Sequence, residues 1–376
     1  MRSARRLLWI AAGSAFTSLG YAQVPDLVTA FDAGGRALGM GTATNATGAS
    51  SASALYNPAG LGYLTRAEIG ASARNFPESR TVVTGDLVPT GSERLDSRGE
   101  SGPQGLSHLG FVMPLGSEGR RGAIGVALTN GGQMRDTRVA GPGLTEGGIG
   151  AGTYNQLLKN RTDFVSISYG KGNFDSGFNW GVGLLYARNN TINNRTGVPS
   201  GATLYNEQSS GFGGVVGVMF APKSNSNLTF GASYQTEIKL KSNGGNVLLY
   251  DRIPARLSGG VAIRKDGMRQ GKDYLVVGAE VVHHFDGSDG IFFDRDPQTT
   301  MGIGAEYNYQ MGGHRIPIRL GYNFVPSGGF NFGSRNVFTY GVGFRPENGD
   351  WGVDLSFGRA QRGGVDAALS VSYRFK

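Results

Sequence analysis

Cysteine is absent from all 376 residues, which removes disulfides and thiolate metal centres together. Histidine is scarce, at 4. Two of the four, His283 and His284, are adjacent in a predicted strand and point to opposite faces, so they cannot share a metal ion; they read as a strand-end pair at an interface. There is no Gly-x-x-x-x-Gly-Lys-Ser/Thr loop to cradle a phosphate. No spacing marks a serine opposite a histidine on neighbouring strands, as a barrel esterase would need. No catalytic, cofactor-binding or metal-binding residue can therefore be assigned, and the chain reads as a non-enzyme. The formal charge is +8, but Arg2, Arg5 and Arg6 of that excess sit at the amino terminus and the rest is diffuse, which excludes a nucleic-acid partner.

Long apolar runs are missing as well. The longest runs from Leu7 to Phe16, far short of the ~20 residues of a membrane-spanning helix, and no later run approaches that length. With the arginines before it and the A-x-A-like Gly20-Tyr21-Ala22 after it, this run reads as a signal peptide over 1–22, with the mature chain starting at Gln23. An uncleaved anchor is the alternative, and Ser14, Thr17 and Ser18 weigh against it. An exported chain without cysteine must be held by its own hydrogen bonding, which a closed sheet can provide.

What is abundant is glycine, 64 residues, recurring at a period of two as in Gly181-Val-Gly183, Gly302-Ile-Gly304 and Gly341-Val-Gly343. Glycine on one face of a strand lets another backbone pack closely, or lets the sheet bend. The same period organises the rest. In the terminal segment Val365, Ala367, Leu369, Val371, Tyr373 and Phe375 share one face, and Asp366, Ser370, Ser372 and Arg374 the other. Met301 to Tyr309, Phe178 to Ala187, Ile316 to Phe324 and Trp351 to Phe357 alternate likewise, with Leu185 breaking the polar face of its segment. The polar face carries Arg256, Glu280, Glu306, Arg319, Asp354, Asp366 and Arg374. Unpaired charge is costly in the dry core of a soluble sandwich, whereas a barrel in a membrane turns its apolar face to lipid and its polar face to a lumen. The mean hydropathy of −0.22 fits such a chain, since only half of each strand meets lipid.

About fourteen strands are predicted, an even number as bacterial barrels require: 66–76, 105–115, 122–131, 161–170, 178–189, 209–221, 227–238, 253–264, 273–285, 298–310, 315–325, 335–345, 351–359 and 364–376. Short turns alternate with longer connections, the longest being 77–104 and 132–160. Short periplasmic turns and long outer loops are the asymmetry of an outer-membrane barrel. The expectation is an all-β transmembrane antiparallel barrel over 66–376. Arg80, Arg94, Arg98, Lys239 and Lys241 in the outer loops are candidates for contact with lipopolysaccharide phosphates, solvated loop positions being the plainer reading.

Residues 23–65 do not alternate and are rich in small side chains. Ser50 to Tyr56 is predicted to form a short helix, and Asn57 to cap a second turn begun by Pro58. The segment reads either as a linker or as a plug fitting a glycine-faced barrel. "GGRALGMGTA" followed by "SALYNPAGLGYL", with the later "IPARLSGGVAI" and "IPIRLGYNF", resembles the FadL fatty-acid transporters and PorV secretion proteins of the outer membrane. The resemblance implies an amino-terminal hatch over 23–65, with Asn57, Pro58 and Ala59 as hatch elements. It also implies passive transport of fatty-acid-like molecules, with a hydrophobic small molecule or lipid as partner and assembly by the barrel-assembly machinery into outer-membrane lipid and lipopolysaccharide. The alternative is a PorV-like, non-transporting component of a secretion or conjugation-associated system. Because inward wall positions are mostly polar, any apolar pocket is expected between hatch and wall.

Overall fold

The computed structural model describes residues 34–375 apart from 76–77, 86–92, 102–104, 117–121, 141–153, 174–175, 197–202, 226, 246, 288–295, 327–334 and 361–364. The expected signal peptide and residues 23–33 lie outside the described residues.

Fourteen strands close into one antiparallel barrel. They are β1 (Glu68–Asn75), β2 (Gly105–Leu115), β3 (Gly122–Ala140), β4 (Tyr154–Asn173), β5 (Phe178–Thr196), β6 (Thr203–Phe220) and β7 (Leu228–Gln235), followed by β8 (Arg256–Gly267), β9 (Asp273–His284), β10 (Gln298–Met311), β11 (His314–Val325), β12 (Arg335–Pro346), β13 (Trp351–Ala360) and β14 (Val365–Arg374). Sequential strands pair, and the seam closes where β1 meets β14, Glu68 opposite Arg374 and Asn75 opposite Ala367. No edge is left with unpaired backbone along that seam, the condition for a sheet to sit in lipid.

The two faces differ as the period-two pattern demands. Large apolar side chains such as Phe111, Leu184, Ile303, Leu320, Val342 and Leu369 point outward and are exposed on the bare protein, forming a belt suited to lipid. Asn160, Thr300, Arg319, Asn323, Asp354 and Ser356 point inward and are buried. Leu185, which interrupts the polar face of β5, is also inward and fully buried.

Strands β3 to β6 run 19, 20, 19 and 18 residues, well past the segments read from alternation, whereas β13 and β14 have 10 each. The connection 77–104 contains a hairpin, Glu78–Gly85 with Glu93–Ser101, whose second strand extends the wall by pairing with the far end of β3. Apolar alternation ends where lipid ends, so these extensions carry no such signature.

Residues 34–65 lie within the barrel. They form α1 (Gly35–Gly39), α2 (Ser53–Tyr56) and a 3-10 helix (Pro58–Tyr63). Two rungs of glycine make room for them. Gly170, Gly181 and Gly217 stand side by side on β4, β5 and β6, and Gly278, Gly304 and Gly321 on β9, β10 and β11. A Cβ on Gly170, Gly181 or Gly217 would run into Asn57 or Pro58, and one on Gly304 or Gly321 into the Met40–Gly41 backbone. Apart from Gly217, which meets the Asn57 side chain, these are close approaches to main chain that any larger residue would block.

Candidate functional site

The inner segment 34–65, the described part of the expected hatch, is held by polar contacts of three kinds. Charged side chains form the first. Glu306 on β10 receives Arg319 at 2.6 Å and Arg36 of α1 at 2.9 Å, while Asp354 on β13 receives Arg319 and Arg345, each at 2.8 Å. Burial opposes the Arg36 charge, but Glu306, together with Asp354 and Tyr56, more than offsets it and raises the guanidinium above its ordinary value. A buried ion pair survives only when each charge finds close partners, and here one hatch arginine joins a network already built on four wall strands.

Backbone groups are the second. Glu280 accepts from the N–H of Thr44 at 2.7 Å and of Asn45 at 2.8 Å, and Arg256 reaches the Tyr56 carbonyl at 3.5 Å. The third is an amide and hydroxyl chain. Asn57 donates to Asn45, Asn45 donates to Ser258, and Ser258 meets Ser233 at 2.7 Å. Asn57 also accepts from the Ala59 N–H at 3.2 Å and so caps the 3-10 helix, with Pro58 at its first position.

Of the charges read from alternation, Arg256, Glu280, Glu306, Arg319, Asp354 and Asp366 are buried and inward. Asp366 pairs with Arg74 at 2.7 Å, and Arg374, half-buried, pairs with Glu68 at 2.9 Å across the seam. The partners Arg36, Glu68, Arg74 and Arg345 were not singled out in the sequence. Glu68 and Arg74 have the inward parity of β1, and that parity is the signal that finds them. His283 and His284 point to opposite faces, His284 buried in the lumen and His283 bonded to Thr299 at 2.9 Å. Lys239 is exposed, and the side chains of Arg80, Arg94 and Arg98 lie outside the described residues.

Against this polar background two apolar clusters stand out. One lies between hatch residues Ala54, Leu61 and Leu64 and wall residues Val112, Ala123 and Ala127. The other joins Leu55 of α2 to Phe164, Leu185, Ala187 and Val215 of the wall, and is covered by Ile238, Leu240, Tyr250 and Ile253 from the β7–β8 connection. Above it, away from the hatch, the inner faces of β4 and β5 carry a neutral polar ladder in which Asn160 donates to Thr191 and Asn189 to Thr162, each at 2.8 Å.

The wall is irregular beside the second cluster. The β6–β7 ladder covers only Val215 to Phe220, and pairing resumes at Ser209 and Ser210 with Lys241 and Ser242. In between, Thr236 alone bridges the gap, bonding Gly214 through both backbone N–H and hydroxyl at 2.9 Å. Gln235 and Ile238 both point inward although three residues apart, so the chain slips by one residue here and brings Ile238 over Gly211 and Gly213. A second slip, between Asn130 and Gly132, lies on β3.

Three solved structures share this architecture. They are the toluene transporter TbuX of Ralstonia pickettii (16% identity, TM-score 0.58, 91% of this chain and 98% of that one), the toluene transporter TodX of P. putida (14%, 0.59, 91% and 98%) and a Pseudomonas aeruginosa FadL homologue (12%, 0.53, 90% and 98%). The chain has the FadL-type barrel fold. No protein-family model and no curated protein matches its sequence. Within this FadL-type barrel, Asn57, Pro58 and Ala59 occupy the glycine rung of β4 to β6. Sequence reasoning also missed the larger apolar cluster, of which it noted Leu185 alone; Phe164, between the inward Thr162 and Ser166, gives the same signal by its parity.

Proposed function

We propose that this FadL-type barrel resides in the outer membrane and passes hydrophobic small molecules across it passively. The observation that carries this reading is the cluster around Leu55, Phe164, Leu185 and Val215, the larger of two apolar clusters between hatch and wall. The Asn/Thr ladder above it offers a polar approach, with one carboxylate, Glu207, opposite Thr191 and bonded by Ser242. The bridged gap at Gly211–Gly214 offers a sideways exit into lipid, since one threonine holds what a full ladder holds elsewhere. The fold neighbours support the substrate class, being described as toluene transporters and a FadL homologue. Monoaromatic hydrocarbons and fatty-acid-like chains are both within it.

The test is uptake of labelled toluene and of a labelled long-chain fatty acid by cells with a lipopolysaccharide outer leaflet, expressing the full chain or carrying empty vector. Uptake above vector is expected, and Leu185→Asn should reduce it at unchanged barrel assembly, scored by heat-modifiable gel migration. If the assembled wild type gives no uptake of either compound above vector, transport is wrong and the secretion-associated reading takes its place.

A further inference from the structure

The amide and hydroxyl chain that anchors the hatch runs Asn57, Asn45, Ser258, Ser233 and then stops. The next inward residue on the same strand, Gln235, is 1% exposed, and neither atom of its side-chain amide has a hydrogen-bond partner. Gln235 sits opposite Val215, a member of the larger apolar cluster, and opposite Arg256, whose guanidinium is directed at the Tyr56 carbonyl. Across the cluster on β4, Ser166 is fully buried with its hydroxyl unpartnered, opposite Leu185. Burying a polar group without a partner costs roughly 1–3 kcal/mol, and two such groups border one apolar site, whereas the members of the chain from Asn57 to Ser233 are bonded to one another.

We infer that Gln235 is the polar anchor of a ligand subsite, and that the ligand is an apolar molecule bearing a hydroxyl group, such as a phenol or a fatty alcohol. The donor count selects that class. A glutamine amide offers N–H donors and one carbonyl acceptor. A hydroxyl answers both, donating its proton to Oε1 and accepting from Nε2. A bare hydrocarbon answers neither. A carboxylate has no proton to give and leaves Oε1 facing its own negative charge. The apolar body then takes the place at Leu55, Phe164 and Leu185 now filled by Ile238 and its neighbours from the β7–β8 connection. This inference rests on the transport reading and specifies the substrate within it.

The experiment compares three probes with one ring and one methyl group in common: toluene, p-cresol and p-toluate. Binding to the full chain in detergent is measured by calorimetry, with each affinity corrected for the probe's partition into empty micelles. The wild type should bind p-cresol roughly three- to tenfold more tightly than toluene, the increment of one net hydrogen bond, and p-toluate most weakly. Gln235→Met, which keeps the length and removes both polar atoms, should bring p-cresol to within twofold of toluene. Its thermal midpoint should not fall, because the amide holds nothing in the unliganded barrel. Equal affinity for toluene and p-cresol, tightest binding of p-toluate, a preference that survives in Gln235→Met, or a fall in that variant's thermal midpoint would each overturn the subsite. Absence of binding by all three probes would instead count against the transport reading itself.

Discussion

Replacing Asn57 by alanine isolates the hold of the hatch from the integrity of the barrel. The side chain caps the 3-10 helix by accepting from Ala59, donates to Asn45, and reaches the Val218 carbonyl at 3.4 Å. Loss of the cap costs ~0.5–2 kcal/mol, and removing the Asn57 donor from the buried side-chain carbonyl oxygen of Asn45 adds ~1–3 kcal/mol. The seated hatch should therefore lose about 2–4 kcal/mol, which multiplies the unseated fraction by roughly thirtyfold or more. The barrel itself should not respond, because none of these bonds belongs to the ladder between strands. Single-channel recording in planar bilayers reads the first quantity and heat-modifiable migration the second. Asn57→Ala should open far more often than the wild type at unchanged migration. Asn57→Asp, which retains the acceptor for Ala59, should fall between them. Identical opening statistics in all three proteins would refute the reasoning and assign the hatch's hold to its charged contacts alone.

Further outcomes follow from the same geometry. Gly304→Val places a side chain where the Met40 main chain passes, and should raise conductance or block assembly; a barrel with wild-type conductance would contradict the close packing. Arg36→Ala removes the one hatch side chain bonded to Glu306 while Arg319 still pairs with it, so basal conductance should rise without loss of heat-modifiable folding. Leu320→Arg puts a charge on the outward face, where arginine near the midplane costs ~2–4 kcal/mol. The fraction assembled in vesicles should drop, whereas Asn323→Ser, on the inward face of the same strand, should leave it unchanged.

The strands and their facing were legible because a bilayer enforces period two on every residue that crosses it. That is why 301–309 and 365–375 declared both their strand and its sides. Beyond the lipid the constraint lapses, and the outer halves of β3 to β6 are written in Asn, Thr, Arg and Gly that a loop would also use. The inward charges were visible by parity, but their pairing depends on which strands become neighbours, so Arg74 with Asp366 could not be read from either segment alone. Glycine at period two announced that something lies against the wall. The rungs themselves need the register, since Gly170, Gly181 and Gly217 sit in three separate strands. The apolar cluster was the least legible feature. It is assembled from α2, three wall strands and the β7–β8 connection, and within the strands its only local marks are Leu185 and Phe164, each interrupting a polar inward face.

The unequal strand lengths give the barrel a front and a back in the plane of the membrane. At ~3.3 Å per residue and a tilt near 40°, strands of 18–20 residues rise ~45–50 Å, against ~25 Å for those of ten. One side of the mouth is thus a palisade standing some 20 Å higher than the other, and the hairpin 78–101 broadens it through its pairing with β3. In the proposed outer membrane, sugars of the surrounding leaflet are fenced off along that part of the rim and reach the mouth freely along the rest. A large body arriving from outside, such as an antibody or a phage tip, meets the palisade first and the entrance only from the low side. The rotational setting of the molecule among its neighbours therefore determines which of them stand at its open side.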